Sequence, residues 1–187
     1  YEVCAGAFKQ AGLLAVDSYA ELAAAAKALA WQPRAKGPHI AMISNGAGSM
    51  VQGIDIMTDY GLTMRPLAEA TTARLRHAYP PFYVIQNPLD VTGSATAEDY
   101  RIGLEGLMDD PTIDIVMPWF VFQNSPLGEE IVEVLGQLNR TYDKPLVCGA
   151  FGGPFTHDIG GRIERQGVPV YYSVREWIAA ASALVLR

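Results

Sequence analysis

From His39 onward, short apolar runs alternate with stretches of helical spacing, and this alternation constrains the fold more than any other feature. His39–Ser44 (HIAMIS), Ile113–Val121 and Pro145–Ala150 are apolar without the period-two alternation of a half-exposed strand. A strand that is apolar throughout is buried on both faces, which means a parallel sheet with helices on each side. Leu62–Met64 and Val168–Tyr172 read as two shorter strands. Met50, Val51, Ile54 and Met57 recur at helical spacing along Gly48–Tyr60, and Gly61 stops that helix. Ala68–Ala78 reads as a helix broken by Pro80-Pro81. Thr96–Asp110 opens on Thr96 with Asp99 three residues on, a capping box. Ser125-Pro126 predicts a helix start running to about Tyr142, with Pro126 at the first helical position. Phe155–Gln166 and Ser173–Arg187 complete the set, the last with Ser173 and Glu176 as its capping box. Five strands with intervening helices predict a flavodoxin-like, doubly wound, five-stranded parallel sheet. In that fold, sites form beyond the carboxyl ends of the strands.

Residues 1–37 fall outside this unit, and an internal repeat accounts for them. Gly12–Leu29 (GLLAVDSYAELAAAAKAL) aligns without a gap on Gly167–Leu184 (GVPVYYSVREWIAAASAL). Gly12, Ser18, Glu21, Ala24, Ala25, Ala26, Ala28 and Leu29 recur identically. Each copy reads as helix end, short strand, Ser-x-x-Glu box and closing helix. The expected organisation is therefore residues 1–37 as a strand–helix remnant and linker from a preceding, similar domain, and residues 38–187 as the complete unit. Tyr1 is not a methionine and no signal-peptide pattern follows it, so the chain is expected to continue a larger protein.

Composition narrows the partners. The 187 residues are 50% hydrophobic and 18% charged, enough apolar material for a core, and the formal net charge is −6 without a Lys/Arg run. That balance argues against nucleic acid or an anionic membrane as the main partner. No apolar run approaches the roughly 20 residues of a membrane helix. Two cysteines, Cys4 and Cys148, make no disulfide framework and fit a reducing cytoplasm. There is no CxxC, HExxH or Cys/His cluster, so no metal site is expected.

The strongest chemical feature is the turn Ser44-Asn45-Gly46-Ala47-Gly48-Ser49, which follows the first strand and opens a helix. Amides at a helix start favour an anion, and glycines let it come close. The turn is read as an anion or phosphoryl site, as a tight turn with no ligand, or as a dinucleotide site. A Walker loop needs Gly-Lys-Ser/Thr, which does not occur. A dinucleotide fingerprint needs a third glycine where Val51 stands, although Arg65 could suit a 2′-phosphate of NADP. Asn87, Pro88, Asp90, Thr92 and Gly93 form a second polar loop, in which Asp90 either orders the loop or meets a ligand. Gln123 lies in a third strand-to-helix connection, and Gly152 and Gly153 in a fourth. All four should gather along one sheet edge. That edge offers no Ser–His–Asp or Cys–His arrangement, carboxylate pair or lysine. His157 is expected in a first helical turn with Thr156 or Asp158 satisfying it. The expected site is a cradle of dipoles without a nucleophile, and no residue is assigned a catalytic role.

Four stretches carry a family resemblance: Ala7–Leu22, Ser44–Met57 (SNGAGSMVQGIDIM), Asn87–Thr96 (NPLDVTGSAT) and Lys144–Gly153. Together they resemble the NDP-forming acyl-CoA synthetases (acetate–CoA ligase, ADP-forming) and the C-terminal flavodoxin-like domain of the succinyl-CoA synthetase β chain. The resemblance implies a ligase converting acyl-CoA, NDP and phosphate to carboxylate, CoA and NTP. It implies a phosphohistidine stabilised by two helix starts, one of them at Asn45, Gly46, Ala47, Gly48 and Ser49. The family's histidine lies in a Ser-His-Thr-Gly type segment, which these residues lack. The resemblance thus implies a fragment inactive alone and binding no cofactor itself. Its parent would use CoA, ADP/ATP and magnesium through CoA-binding and ATP-grasp domains. A second reading is a non-enzymatic module that senses acyl-CoA or regulates; a lesser one is an NADP-binding domain.

Overall fold

The structure, a computed structural model, describes residues 2–124 and 126–185. In chain order the elements are α1 (Glu2–Gln10), α2 (Tyr19–Trp31), β1 (His39–Ser44) and α3 (Ala47–Met57), then a 3-10 turn (Thr58–Tyr60). They continue with β2 (Thr63–Met64), α4 (Glu69–Ala78), β3 (Leu89–Asp90), α5 (Ala97–Asp109) and β4 (Ile115–Phe120). The last are α6 (Ile131–Thr141), β5 (Cys148–Ala150), α7 (Pro154–Glu164), β6 (Val170–Tyr171) and α8 (Val174–Leu184). All strand pairs are parallel, in the order β2-β1-β4-β5-β6. This is the flavodoxin-like arrangement, with helices on both faces.

The central strands show why their sequences do not alternate. Ile40 and Met42 of β1 and Ile115, Met117 and Trp119 of β4 face the core under α2, α3 and α8. Ala41 and Ile43, with Val116 and Phe120, face the core under α4–α7. Gly149 of β5 makes room for Trp119, because a Cβ there would lie 2.1 Å from the indole.

A sixth strand was not expected. Leu89–Asp90 lies in the polar loop after Asn87-Pro88 and pairs with Ile43 and Ser44, on the edge of β1 that β2 occupies farther back. Between the two short strands, Asn87 completes that edge. Its Oδ1 accepts from the Met42 N–H (3.2 Å), and its Nδ2 donates to the carbonyls of Ile40 (2.8 Å) and Arg65 (3.0 Å). The carboxamide stands in for a missing peptide group.

Helix starts divide into kept and altered expectations. Thr96 and Asp99 form the complete box, Thr96 N–H to Asp99 Oδ2 at 2.8 Å and Asp99 N–H to Thr96 Oγ1 at 3.2 Å. The helix expected at Ser125-Pro126 begins instead at Ile131. Ser125 itself lies outside the described residues. Leu127 N–H turns back onto the Asn124 carbonyl (3.2 Å), its side chain is buried, and Gly128 adds poor helix propensity. Ser173 occupies the N-cap of α8, but its hydroxyl makes no capping bond. In the first copy of the repeat, Ser18 does accept from the Glu21 N–H (3.1 Å). The strand expected after Gly12 is absent, because no described strand lies beside Leu13–Val16 to pair with them.

Backbone geometry repeats where the sequence does: Gly12 and Gly167 are both left-handed, φ +70° and +81°. The two closing helices α2 and α8 pack against each other through alanines. The boundary at residues 37/38 is not a break in packing. Gln32 accepts from the buried Leu146 N–H (2.8 Å) and donates to the Gly167 carbonyl (3.0 Å). Tyr171 donates to the Ala24 carbonyl (2.9 Å), and Lys27 pairs with Glu164 (2.7 Å).

Candidate functional site

The turn after β1 is held from within. Ser44 Oγ accepts from the Gly46 N–H at 2.9 Å. Asn45 is only 2% exposed, and its carboxamide pairs with Val121 as a peptide would. Oδ1 accepts from Val121 N–H (2.9 Å), and Nδ2 donates to the Val121 carbonyl (3.1 Å). Its own N–H donates to the Tyr100 hydroxyl (2.8 Å). Burial pushes the Tyr100 phenol well up, so it stays protonated and shares its proton between Asn45 Oδ1 (3.0 Å) and the Trp119 carbonyl (2.9 Å). Asn45 therefore shapes the turn, its buried carboxamide bonded to Val121 and Tyr100.

Gly46 is the N-cap of α3 and has no side chain to cap it. The amides of Ala47, Gly48 and Ser49 thus form an uncapped helix start with its positive dipole end. They open on a cavity of about 850 Å³. Its opposite wall is the start of α8, Ser173 to Arg175, and its apolar side is formed by Trp119 and Phe151, ring centroids 6.2 Å apart. A Cβ on Gly48 would meet no atom within 4 Å, so this position faces open space. A Cβ on Gly46 would lie 2.8 Å from Val121, so that glycine is required by packing.

The remaining predicted residues do not line this cavity, and Asn87 lines a separate one with Met64 and Arg65. Asn87 completes the β1 edge, beside the cis Asn87–Pro88 bond. Asp90 Oδ1 accepts from the Thr92 N–H (2.9 Å), in a turn where Thr92 has φ +57°. Gly93 packs near Asn124, whose amide donates to the Asn45 carbonyl (3.2 Å). Gln123 donates to Thr156 (2.9 Å), and a Cβ on Gly152 would strike both. Gly153 is the N-cap of α7 and is exposed. His157 stacks on Tyr172, centroids 3.9 Å apart, so its neighbour is that ring rather than Thr156 or Asp158.

Sequence reasoning missed the α8 side of the cavity. The connection from β6 to α8 is also a strand-to-helix turn, but its Ser-x-x-Glu pattern reads as a closed cap. Among the described residues, Arg175 is the one charged residue lining the cavity. Among the described residues, no cluster of His, Cys, Asp or Glu could hold a metal ion. Cys148 is buried, which pushes its thiol up and leaves it unreactive. No helix among the described residues is long and apolar enough to cross a membrane.

Known proteins share this fold. The α subunit of acetate–CoA ligase [ADP-forming] II from Pyrococcus furiosus is 31% identical over 99% of this chain, which spans 41% of that protein. The acetate–CoA ligase [ADP-forming] of Methanocaldococcus jannaschii is 28% identical over 95% of this chain and 26% of its own. A crystal structure from Pyrococcus horikoshii OT3 superposes with TM-score 0.91 at 28% identity, covering 98% of this chain and 43% of that one. Dinucleotide-forming acetyl-coenzyme A synthetase 1 of Ca. Korarchaeum cryptofilum, in complex with phosphate and ADP, superposes at 0.88 with 26% identity, covering 98% and 40%. The model of the Ligase-CoA domain matches residues 40–183, from β1 to α8. This chain belongs to the Ligase-CoA domain family.

Proposed function

We propose that this chain is part of an NDP-forming acyl-CoA synthetase, which turns acyl-CoA, NDP and phosphate into carboxylate, CoA and NTP. Its own task is to hold a phosphoryl group at the start of α3, through the amides of Ala47, Gly48 and Ser49. The observation that carries this reading is the uncapped N-terminus at Gly46, open to a cavity whose described lining includes no histidine, cysteine, lysine or carboxylate. Such a cradle stabilises charge brought by another group, here a phosphohistidine from outside these 187 residues. CoA, the nucleotide and its magnesium are assigned to CoA-binding and ATP-grasp domains, in the same or a separate chain, and the parent enzyme to the cytoplasm. The chain alone is expected to complete no turnover.

The same proposal assigns residues 1–37 to the end of a neighbouring domain of the same fold. The two copies of the repeat differ in a telling way. Leu22 is 52% exposed, whereas its counterpart Trp177 is fully buried against the sheet. Leu13, Tyr19 and Leu29 are exposed, and their counterparts Val168, Val174 and Leu184 are buried. The outer face of α2 thus carries the apolar residues of a closing helix that a second sheet would cover.

Turnover of the enzyme carrying this chain tests the cradle, with CoA release from acyl-CoA followed as thiol. Gly48→Val should abolish phosphate-dependent release while the domain stays folded. Undiminished release would refute the assignment.

A further inference from the structure

We propose that Arg175 is the cation that receives the anion in this cavity, and that Tyr60, anchored by Glu21 of α2, positions it. The inference rests on reading the cavity as an anion site and names a group that reading lacks.

Arg175 is the second residue of α8, where the helix dipole disfavours a cation. Helix stability therefore does not explain it, and local rules broken in this way mark functional positions. The side chain is nonetheless held. Its Nη1 donates to the Tyr60 hydroxyl (2.9 Å), and Tyr60 in turn donates to Glu21 Oε1 (2.7 Å). Glu21 is only 4% exposed, accepts from the Asp17 N–H (3.3 Å) and lies 3.8 Å from Arg175 Nη1. One guanidinium nitrogen is thus tethered, while Nε and Nη2 make no hydrogen bond among the described residues. Those two nitrogens form the fork that meets a phosphate or carboxylate with two parallel bonds.

The fork and the α3 amides flank one cavity whose described lining includes no carboxylate. Its ligand class is an oxyanion, of the phosphoryl type if the α3 reading holds. The tether also makes α2 part of the site, since it begins at Glu21.

Titration of the chain with inorganic phosphate, read from the amide shifts of Ala47 and Gly48, tests this. Arg175→Ala should weaken binding about tenfold, as loss of a charge-assisted pair does. Arg175→Lys should recover part of the loss, because charge remains while the fork is gone. Tyr60→Phe should weaken binding about threefold with the arginine still present, an effect on affinity that a clamp serving only α2–α8 packing would not produce. Phosphate binding unchanged in Arg175→Ala but lost in Gly48→Val would overturn the inference and leave the α3 cradle standing. Absence of saturable shifts in the unaltered chain would overturn both.

Discussion

Two neighbours in one motif, Asn45 and Gly48, should behave in opposite ways when changed. Asn45→Ala removes a buried carboxamide that bonds Val121 N–H at 2.9 Å and the Val121 carbonyl at 3.1 Å. The carbonyl keeps a second donor, the Asn124 N–H at 3.1 Å, and the Tyr100 proton keeps the Trp119 carbonyl. The Val121 N–H alone is left without a partner. An unsatisfied buried amide costs about 1–3 kcal/mol, and Val121 is half-buried, so a loss of about 2 kcal/mol is expected. For a chain of this size that lowers the thermal midpoint by roughly 4–8 °C. Gly48→Val should change stability by less than about 0.5 kcal/mol, because a Cβ there touches nothing and valine is the better helix former. Urea unfolding at constant m-value measures both. A loss below about 0.5 kcal/mol in Asn45→Ala would show that its hydrogen bonds do not hold the turn. A loss above about 2 kcal/mol in Gly48→Val would show that the glycine is structural, and its effect on phosphate would lose its meaning.

Deleting residues 1–17 should leave the thermal midpoint within a few degrees, whereas deleting residues 1–36 should cost at least about 3 kcal/mol. The longer deletion strips Gln32 from the buried Leu146 N–H and uncovers α8, and an equal midpoint for the two truncations would overturn this. Asp110 supplies a pH dependence. Burial alone would raise its carboxyl, but hydrogen bonds from Thr112 and Ala68 outweigh that and hold it below the usual range. Its contribution is fully present above the unfolded value of about 3.9 and is lost as pH falls through the lower folded value. Asp110→Asn should flatten the fall in urea midpoint between about pH 5 and 2; an unaltered slope would assign the acid transition elsewhere.

The sheet was legible because its central strands are buried on both faces, and only apolar residues satisfy that at every position. β3 was not, because two residues inside a polar loop become a strand only by lying along the open edge of β1. No local pattern states that an edge is open. The start of α6 misled for a related reason. Serine followed by proline is a sound local signal, but the Leu127 side chain is drawn into the core and the chain must turn before it can coil. The closing unit misled in part as well: its repeat is visible in sequence, yet the strand in its first copy has no sheet to join among the described residues.

The site divides along a different line, between polar groups already engaged and polar groups left open. Asn45, Asn87, Asp90 and Gln123 carry the side chains that sequence reasoning selects, and each is engaged in holding backbone or a neighbouring residue. Gly46 to Ser49 remained legible because a glycine N-cap announces that nothing caps the helix. Arg175 was illegible because a cation after Ser173 in a Ser-x-x-Glu start reads as an ordinary surface residue. Its meaning comes from two partners distant in sequence, Glu21 and Tyr60, which hold one nitrogen and leave two. At an open helix start, binding capacity is what the fold leaves unsatisfied, and that is decided only after every internal hydrogen bond has found its partner.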